Sequence, residues 1–416
     1  MTDVTTRTTP ATAPLPRLWS RTVEVDHAAA GAVLAGGEWC WLGPSVELAG
    51  WGGAARLTPD DEPARAAAVS ALNRRFATIV SGDPDLPGPV AFASLTFDLA
   101  AAGSVLVIPR TVVRRRDGRA WLTVVGDRPV ADDDLRLPDP PPAPRPSTRV
   151  RYAGASAAEI AWLDAVDRAV RRIRAGDVEK VVLARDRLVY SDEPFDLGAL
   201  VTRLRERFPD CYTFRVAGLV GASPELLIRR SGDRLGSLVL AGTARRGAGD
   251  ADDQRIGDDL LASAKDLAEH RPAVASVRAT LEPLTARLDV EDTPHLLRLA
   301  NVQHLATSVT GTLLSPVDAL ALAERLHPTA AVGGTPTARA LELIAELETI
   351  DRGRYAGPVG WVDAAGDGEL AIALRCAQID GARGRLFAGA GIVGDSLPES
   401  ELEETRLKLR AMQSAF

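Results

Sequence analysis

Three lysines, Lys180, Lys265 and Lys408, stand among 49 basic residues, the other 46 being arginine. Arginine serves wherever a surface needs only positive charge, whereas a buried lysine amine can release its proton and a guanidinium effectively cannot. Each lysine is therefore a candidate for proton transfer, against the alternative that it merely escaped compositional drift. Lys180 opens the segment Lys180–Tyr190 (KVVLARDRLVY), where it shares strand parity with Val182, Ala184 and Leu188 and projects from a largely apolar face. Burial there disfavours a charged amine unless the fold uses it. Among the acids, Glu225 follows Ser223-Pro224 between two apolar runs, as a turn residue or as a functional acid. Asp266 and Glu269, and again Glu401 and Glu404, are spaced i, i+3 on helix-like segments, with Lys408 further along the second stripe. Solvated faces, or acids complementing a helix dipole, account for either pair alone. Converging, the two pairs would suit a hard cation such as Mg²⁺, which takes oxygen ligands and keeps several waters. Ala388-Gly389-Ala390-Gly391 after a strand offers backbone N–H groups to a carboxylate or phosphate, without the spacing of a dinucleotide loop or P-loop.

The elements that must hold these groups follow from pattern. Trp39–Leu42, Pro89–Leu95, Ser104–Arg115 and Trp121–Val125 are predicted strands, with Asp117-Gly118 turning a hairpin, so residues 18–137 are mostly sheet. Pro138–Arg149 (PDPPPAPRPSTR) is a Pro-rich loop that excludes helix and central strand. A helix follows, with a predicted Ser156/Glu159 capping box, an apolar stripe of Ile160, Leu163, Val166, Val170 and Ile173, and Gly176 as its stop. Beyond Lys180–Tyr190 come a helix over Asp196–Phe208, strands Tyr212–Val220 and Leu226–Arg230, and one long helix Asp258–Leu281. Strands Val359–Val362, Leu370–Ile379 and Arg385–Phe387 and a helix from Glu399 complete the pattern.

The composition narrows the partners. A chain of 416 residues, 46% hydrophobic and 25% charged, with net charge −7, has the make-up of a folded globular protein. Its basic residues are scattered without an aromatic-basic stripe, which argues against nucleic acid and for a small-molecule partner. No apolar run reaches the ~18 residues a membrane helix needs. Cys40, Cys211 and Cys376 are widely spaced and form no CxxC or CxxH pattern, which suits reduced thiols in a cytoplasmic protein. Residues 1–17 are Thr-, Ala- and Pro-rich and are expected to form a disordered tail.

In order along the chain, Lys180-Val-Val-Leu-Ala-Arg185, Gly221-Ala-Ser-Pro-Glu225, Leu240-Ala-Gly-Thr-Ala-Arg245, Lys265-Asp-Leu-Ala-Glu-His270, Asn301-Val-Gln-His304, Leu326-His-Pro-Thr329, Leu374-Arg375-Cys376, Phe387-Ala-Gly-Ala-Gly391 and Glu404-Thr-Arg-Leu-Lys408 resemble the motifs of the chorismate-utilising enzymes. The resemblance covers about residues 150–412 and is looser before that. It implies an α+β fold, one large domain over 18–416 of stacked, mainly antiparallel sheets with outer helices, like that of anthranilate synthase component I. Within that domain, 18–137 would be a divergent sheet region, 138–149 a loop and 150–416 the catalytic region.

The resemblance further implies Mg²⁺ held directly by Glu269 and Glu404 and through water by Asp266 and Glu401. It implies a chorismate site formed by Gly242, Thr243, His304, Ala331, Val332, Tyr355, Arg375, Gly389, Gly391 and Lys408. Relatives that add water carry lysine at the position of Lys180, as the base that activates water for attack at C2, with Glu225 protonating the leaving C4 hydroxyl. Such chemistry calls for an amine depressed towards neutral pH and a carboxyl raised from its usual value. Ala331 stands where relatives that aminate or form salicylate usually carry threonine, while Gly333 stands where serine is common. The implied activity is isochorismate synthesis, feeding menaquinone, siderophore or other metabolism, in a cytoplasmic monomer without a glutaminase subunit. Salicylate synthesis and non-catalytic chorismate binding are the alternatives.

Overall fold

The computed structural model describes residues 17–57, 72–81, 83, 85–145, 147, 149–300 and 302–416. The expected disordered tail lies outside the described residues except for Arg17. Runs rich in β-branched and aromatic residues form two large sheets. The first runs, in spatial order, Arg151–Tyr152, Lys180–Tyr190, Arg383–Ile392, Cys376–Asp380, Leu219–Ser223, Tyr212–Val216, Trp39–Leu42, Glu47–Trp51, Thr111–Arg116, Arg119–Gly126, Leu18–Glu24 and Ile79–Ser81. The second runs Thr285–Val290, Val302–Leu313, Arg234–Arg245, Leu226–Ser231, Gly368–Ile372, Pro358–Asp363, Val90–Ser94, Val105–Ile108 and Ala55–Leu57. Neighbours pair antiparallel except Leu18–Glu24 with Ile79–Ser81. The fold is thus mixed α and β with two sheets dominated by antiparallel pairing, as expected.

Side-chain alternation divides the core. In the first sheet Trp41, Leu48, Val112 and Leu219 join a main apolar cluster shared with Phe92, Ile228, Val359 and Leu370 of the second sheet. Their chain neighbours Leu42, Ala49, Val113 and Val220 join another cluster, together with Leu200 and Leu204 of helix Leu197–Arg207 and Leu409 of helix Pro398–Gln413. Among the described residues no helix is long and apolar enough to cross a membrane.

Four expected elements are divided. Tyr212–Val220 is a hairpin, Tyr212–Val216 pairing antiparallel with Leu219–Ser223 across a turn at Ala217-Gly218, both of positive φ. Ser104–Arg115 is two strands, broken at Pro109-Arg110 and belonging to different sheets. Leu370–Ile379 likewise becomes Gly368–Ile372 and Cys376–Asp380, one in each sheet. An uninterrupted apolar run conceals such a crossing because both halves are buried. The helix expected over Asp258–Leu281 is two, Asp250–Ala262 and Ala264–Leu281, since Ser263 adopts an extended backbone and caps the second by accepting from Asp266 N. The Ser156/Glu159 capping box does not form. Ser156 instead donates its amide and hydroxyl to Asp186, and Glu159 pairs with Arg185 and Arg406. Ile160 is 73% exposed and leaves the apolar stripe to Trp162, Val166 and Val170. The hairpin at Asp117-Gly118 does form, both residues having positive φ as its tight turn requires.

Candidate active site

The chain crosses between the sheets at Pro224-Glu225 and again at Ala373–Arg375, and these crossings are hydrogen-bonded to each other: Ile372 N donates to Glu225 O, and Ala222 N to Arg375 O. A cleft opens there. All ten residues expected to bind substrate line it, together with Glu225 and Glu269. Pro224 and Leu374 at the crossings and Leu240 and Phe387 in strands also line it; as apolar residues they carry no signal that separates lining from ordinary core.

Each of the three lysines reaches one of the four acids. Lys180 Nζ lies 3.2 Å from Glu269 Oε1, Lys265 Nζ 3.2 Å from Glu401 Oε1, and Lys408 Nζ 2.5 Å from Glu404 Oε1. Lys180 is 1% exposed, on the same strand face as Val182 as parity requires. Its head group does not end in purely apolar surroundings, however: besides the carboxylate it donates to Glu269 O at 3.3 Å. The reason is its place at the strand's first residue, where helix Ala264–Leu281 meets it.

Glu225 is 4% exposed. Burial pushes its carboxyl up to about 8, against the opposing influence of a backbone hydrogen bond from Leu240 and the charges of Lys180 and Lys408. Glu269 is only partly buried, its side chain 18% exposed, and Lys180 and Lys408 outweigh desolvation and hold it below the ordinary carboxylate range. Asp266 and Glu401 are both pushed up, first by burial and then by the charges of Glu269 and Glu404 respectively. The mutual influence of Asp266, Glu269, Glu401 and Glu404 shows that the two helices bring both acid pairs into one neighbourhood.

Among the described residues no three metal-ligating side chains are grouped closely enough to cage an ion unaided. The donor set nevertheless fits Mg²⁺, which is commonly held by one or two carboxylates while other oxygens reach it through its waters. Like-charged carboxyls pushed up by one another mark a place where a divalent cation is electrostatically favoured.

Against Glu269, the pairings Val182↔Gly391 and Ala184↔Gly389 place a glycine wall beside the Lys180 strand. A Cβ on Gly391 would come within 2.2 Å of Glu269 Oε1 and 2.9 Å of Lys180 Cε, and one on Gly389 within 3.1 Å of the Tyr355 hydroxyl. Tyr355 stacks on Phe387 with ring centroids 5.1 Å apart. Arg375, at φ 47°, holds an uncommon left-handed backbone for a non-glycine residue. Its Nη2 lies 3.2 Å from His304 Nε2, and its buried Nη1 has no hydrogen-bond partner. Burial, then Arg375 and Lys408, drives His304 well below its ordinary value, so the imidazole is neutral; Thr243 Oγ1 lies 3.0 Å from its Nδ1. A buried guanidinium with a free N–H, a nearby ammonium and an open glycine wall make a receptor for an anion.

Residues 39–416 match the family model described as "Chorismate binding enzyme". The chain is 41% identical over 259 residues to isochorismate synthase MenF of Bacillus subtilis, covering 61% of this chain and 55% of that protein. It is 44% identical over 262 residues to the salicylate biosynthesis isochorismate synthase of Pseudomonas aeruginosa, covering 61% and 54%. The chain thus spans about half the length of these two relatives. The solved structure of MenF, the menaquinone-specific isochorismate synthase from Escherichia coli, superposes with a TM-score of 0.79 at 27% identity, over 96% of this chain and 95% of that one.

Proposed function

This chain belongs to the chorismate-binding enzyme family, and we propose that it is an isochorismate synthase that converts chorismate to isochorismate by adding water at C2 and expelling the C4 hydroxyl. The observation that carries the reading is the carboxyl of Glu225, which lines the cleft and is pushed up to about 8, together with the buried amine of Lys180, which does not line the cleft itself but lies 3.2 Å from the cleft residue Glu269. A carboxyl so raised keeps its proton at neutral pH and can give it to a leaving hydroxyl. Lys180, once it has given up its own ammonium proton, takes the proton from the attacking water, so one water enters as one departs and no redox partner is required. Arg375, Lys408 and the backbone of Gly389 and Gly391 hold the substrate's carboxylates. The neutral ring of His304, steadied by Thr243, borders the substrate ring beside Gly242, Ala331, Val332 and Tyr355.

The cofactor in this reading is Mg²⁺, with Glu269 and Glu404 as direct ligands and Asp266 and Glu401 holding its waters. It would supply the positive charge that makes a neighbourhood of four carboxylates, of which Glu269 lines the cleft, receptive to a dianionic substrate. The reading includes a cytoplasmic monomer acting without a glutaminase subunit; the three buried, unpaired cysteines accord with a reducing compartment.

The test is incubation of the purified protein with chorismate, with and without Mg²⁺, and chromatography of the products. Isochorismate in equilibrium with chorismate, formed only with the metal and without pyruvate, is the expected result. Salicylate with pyruvate would make it a salicylate synthase, and no conversion would leave a chorismate-binding protein.

A further inference from the structure

We propose that the buried pair Glu348–Arg352 is a positioning clamp that fixes the width of the substrate cleft by tying the Lys180 strand to the loop that carries Ala331 and Val332. The pair follows helix Thr337–Leu347, and both side chains are about 95% removed from solvent. They form a tight ion pair, Arg352 Nη2 lying 2.5 Å from Glu348 Oε1 and Nε 2.9 Å from Oε2. The outward bonds of the pair decide its role. Arg352 Nη2 donates to Val182 O at 2.7 Å and Nη1 to Val332 O at 2.9 Å, while Ala184 N donates to Glu348 Oε1 at 2.7 Å. Val182 and Val332 both line the cleft.

The strand explains why such a device is needed. On one side Lys180–Tyr190 pairs continuously with Arg383–Ile392. On the other it pairs with Gly334-Thr335 at Lys180 and Val181, with one further bond from Val182 N to Gly333 O at 2.8 Å, and with Arg151–Tyr152 at its far end. Val182 O and Ala184 N face the gap between, where a strand would ordinarily supply one donor and one acceptor. Arg352 supplies the donor and Glu348 the acceptor, so the ion pair stands in for a missing strand. Buried backbone groups left unpaired there would be destabilising, because their lost water contacts would go unreplaced. The ring of Phe97, 4.0 Å from the guanidinium carbon, covers the clamp on its far side. Because Arg352 also grips Val332, motion of the Ala331 loop away from the Lys180 strand breaks a charge-assisted hydrogen bond. Neither residue touches the cleft, so both act through Val182, Ala184 and Val332.

The effect on turnover rests on the isochorismate synthase reading, whereas the clamp itself is testable without it. Arg352→Lys and Glu348→Gln keep one polar contact each and avoid the gross loss that Arg352→Met risks. In folded Arg352→Lys, hydrogen exchange should quicken by about tenfold or more in 180–190 and 329–335 and stay unchanged in the distant strand Arg119–Gly126. With chorismate, KM should rise about tenfold while kcat falls less, because the cleft loosens before the acid and base are lost. Glu348→Gln should quicken exchange at Ala184 most. Exchange and KM both at wild-type values, or exchange raised equally throughout the molecule, would overturn the clamp. Failure of the unmodified protein to convert chorismate would overturn the functional reading and leave the exchange comparison standing.

Discussion

Glu225 and Glu269 line one cleft, the first buried and the second partly so, yet their protons are held in opposite senses. Glu225 sits on a chain crossing between sheets and feels its cations only at a distance, so desolvation prevails and the carboxyl is pushed up to about 8. Glu269 sits on a helix against the Lys180 ammonium, and that contact outweighs the same desolvation. Burial alone therefore does not decide whether an acid in this cleft is a proton donor or a fixed negative charge; the nearness of a lysine does. One region is made to give a proton away and the other to attract cations.

The sharpest way to break this contrast is Glu225→Gln. It should lower turnover about a thousandfold while leaving Mg²⁺ affinity by titration calorimetry near wild type. Full turnover would remove Glu225 from the chemistry. The partner change, Glu269→Gln, should weaken Mg²⁺ binding about a hundredfold, and it should lower the melting temperature, because it leaves the buried Lys180 amine without its carboxylate. Glu225→Gln should not lower the melting temperature at neutral pH, so the two amides separate the two regions in a single thermal scan.

The pH dependence sharpens the comparison further. Turnover should fall about tenfold per unit above pH 8 as Glu225 loses its proton. For stability, the folded value lies above the ordinary 4.5, so the native state retains a proton that the unfolded chain releases. That contribution is full below about pH 4.5 and is lost as pH rises through 8. Denaturant titrations from pH 6 to 9 should show a decline that is smaller in Glu225→Gln. The smallest effect is expected of Gly391→Ala, whose new methyl must displace the Glu269 carboxylate and the Lys180 stem. A roughly threefold to tenfold loss of activity with little change in melting temperature is the expected outcome.

Much of the site was legible in the sequence because the chain spends lysine so sparingly. With arginine filling every other basic position, Lys180, Lys265 and Lys408 stood out, and each meets one of the acids proposed to surround the metal. The same bias hid Arg352. One arginine among 46 carries no mark, and its i, i+4 spacing from Glu348 is that of any exposed helix pair. The sheets were legible as strand content but not as two layers. Pattern could not separate Gly368–Ile372 from Cys376–Asp380, since the crossing at Ala373–Arg375 is itself buried and depends on a left-handed Arg375 that nothing in residue type foretells. Ser263 was open to recognition as a cap, with Asp266 three residues on, but the acidic and apolar pattern around it suited an unbroken helix.

The pairing of Lys180–Tyr190 with Arg383–Ile392 joins segments separated by about half of the chain. Closing so long a loop is entropically slow, and its cost comes before any contact repays it. During synthesis the lysine strand leaves the ribosome long before its glycine-rich partner exists, with one whole edge open to chance pairing. The acids of helix Pro398–Gln413 arrive later still. Catalytic competence should therefore appear in one late step of folding rather than grow with chain length, and a nascent chain stalled before residue 383 should be a client for chaperones that shield exposed strands.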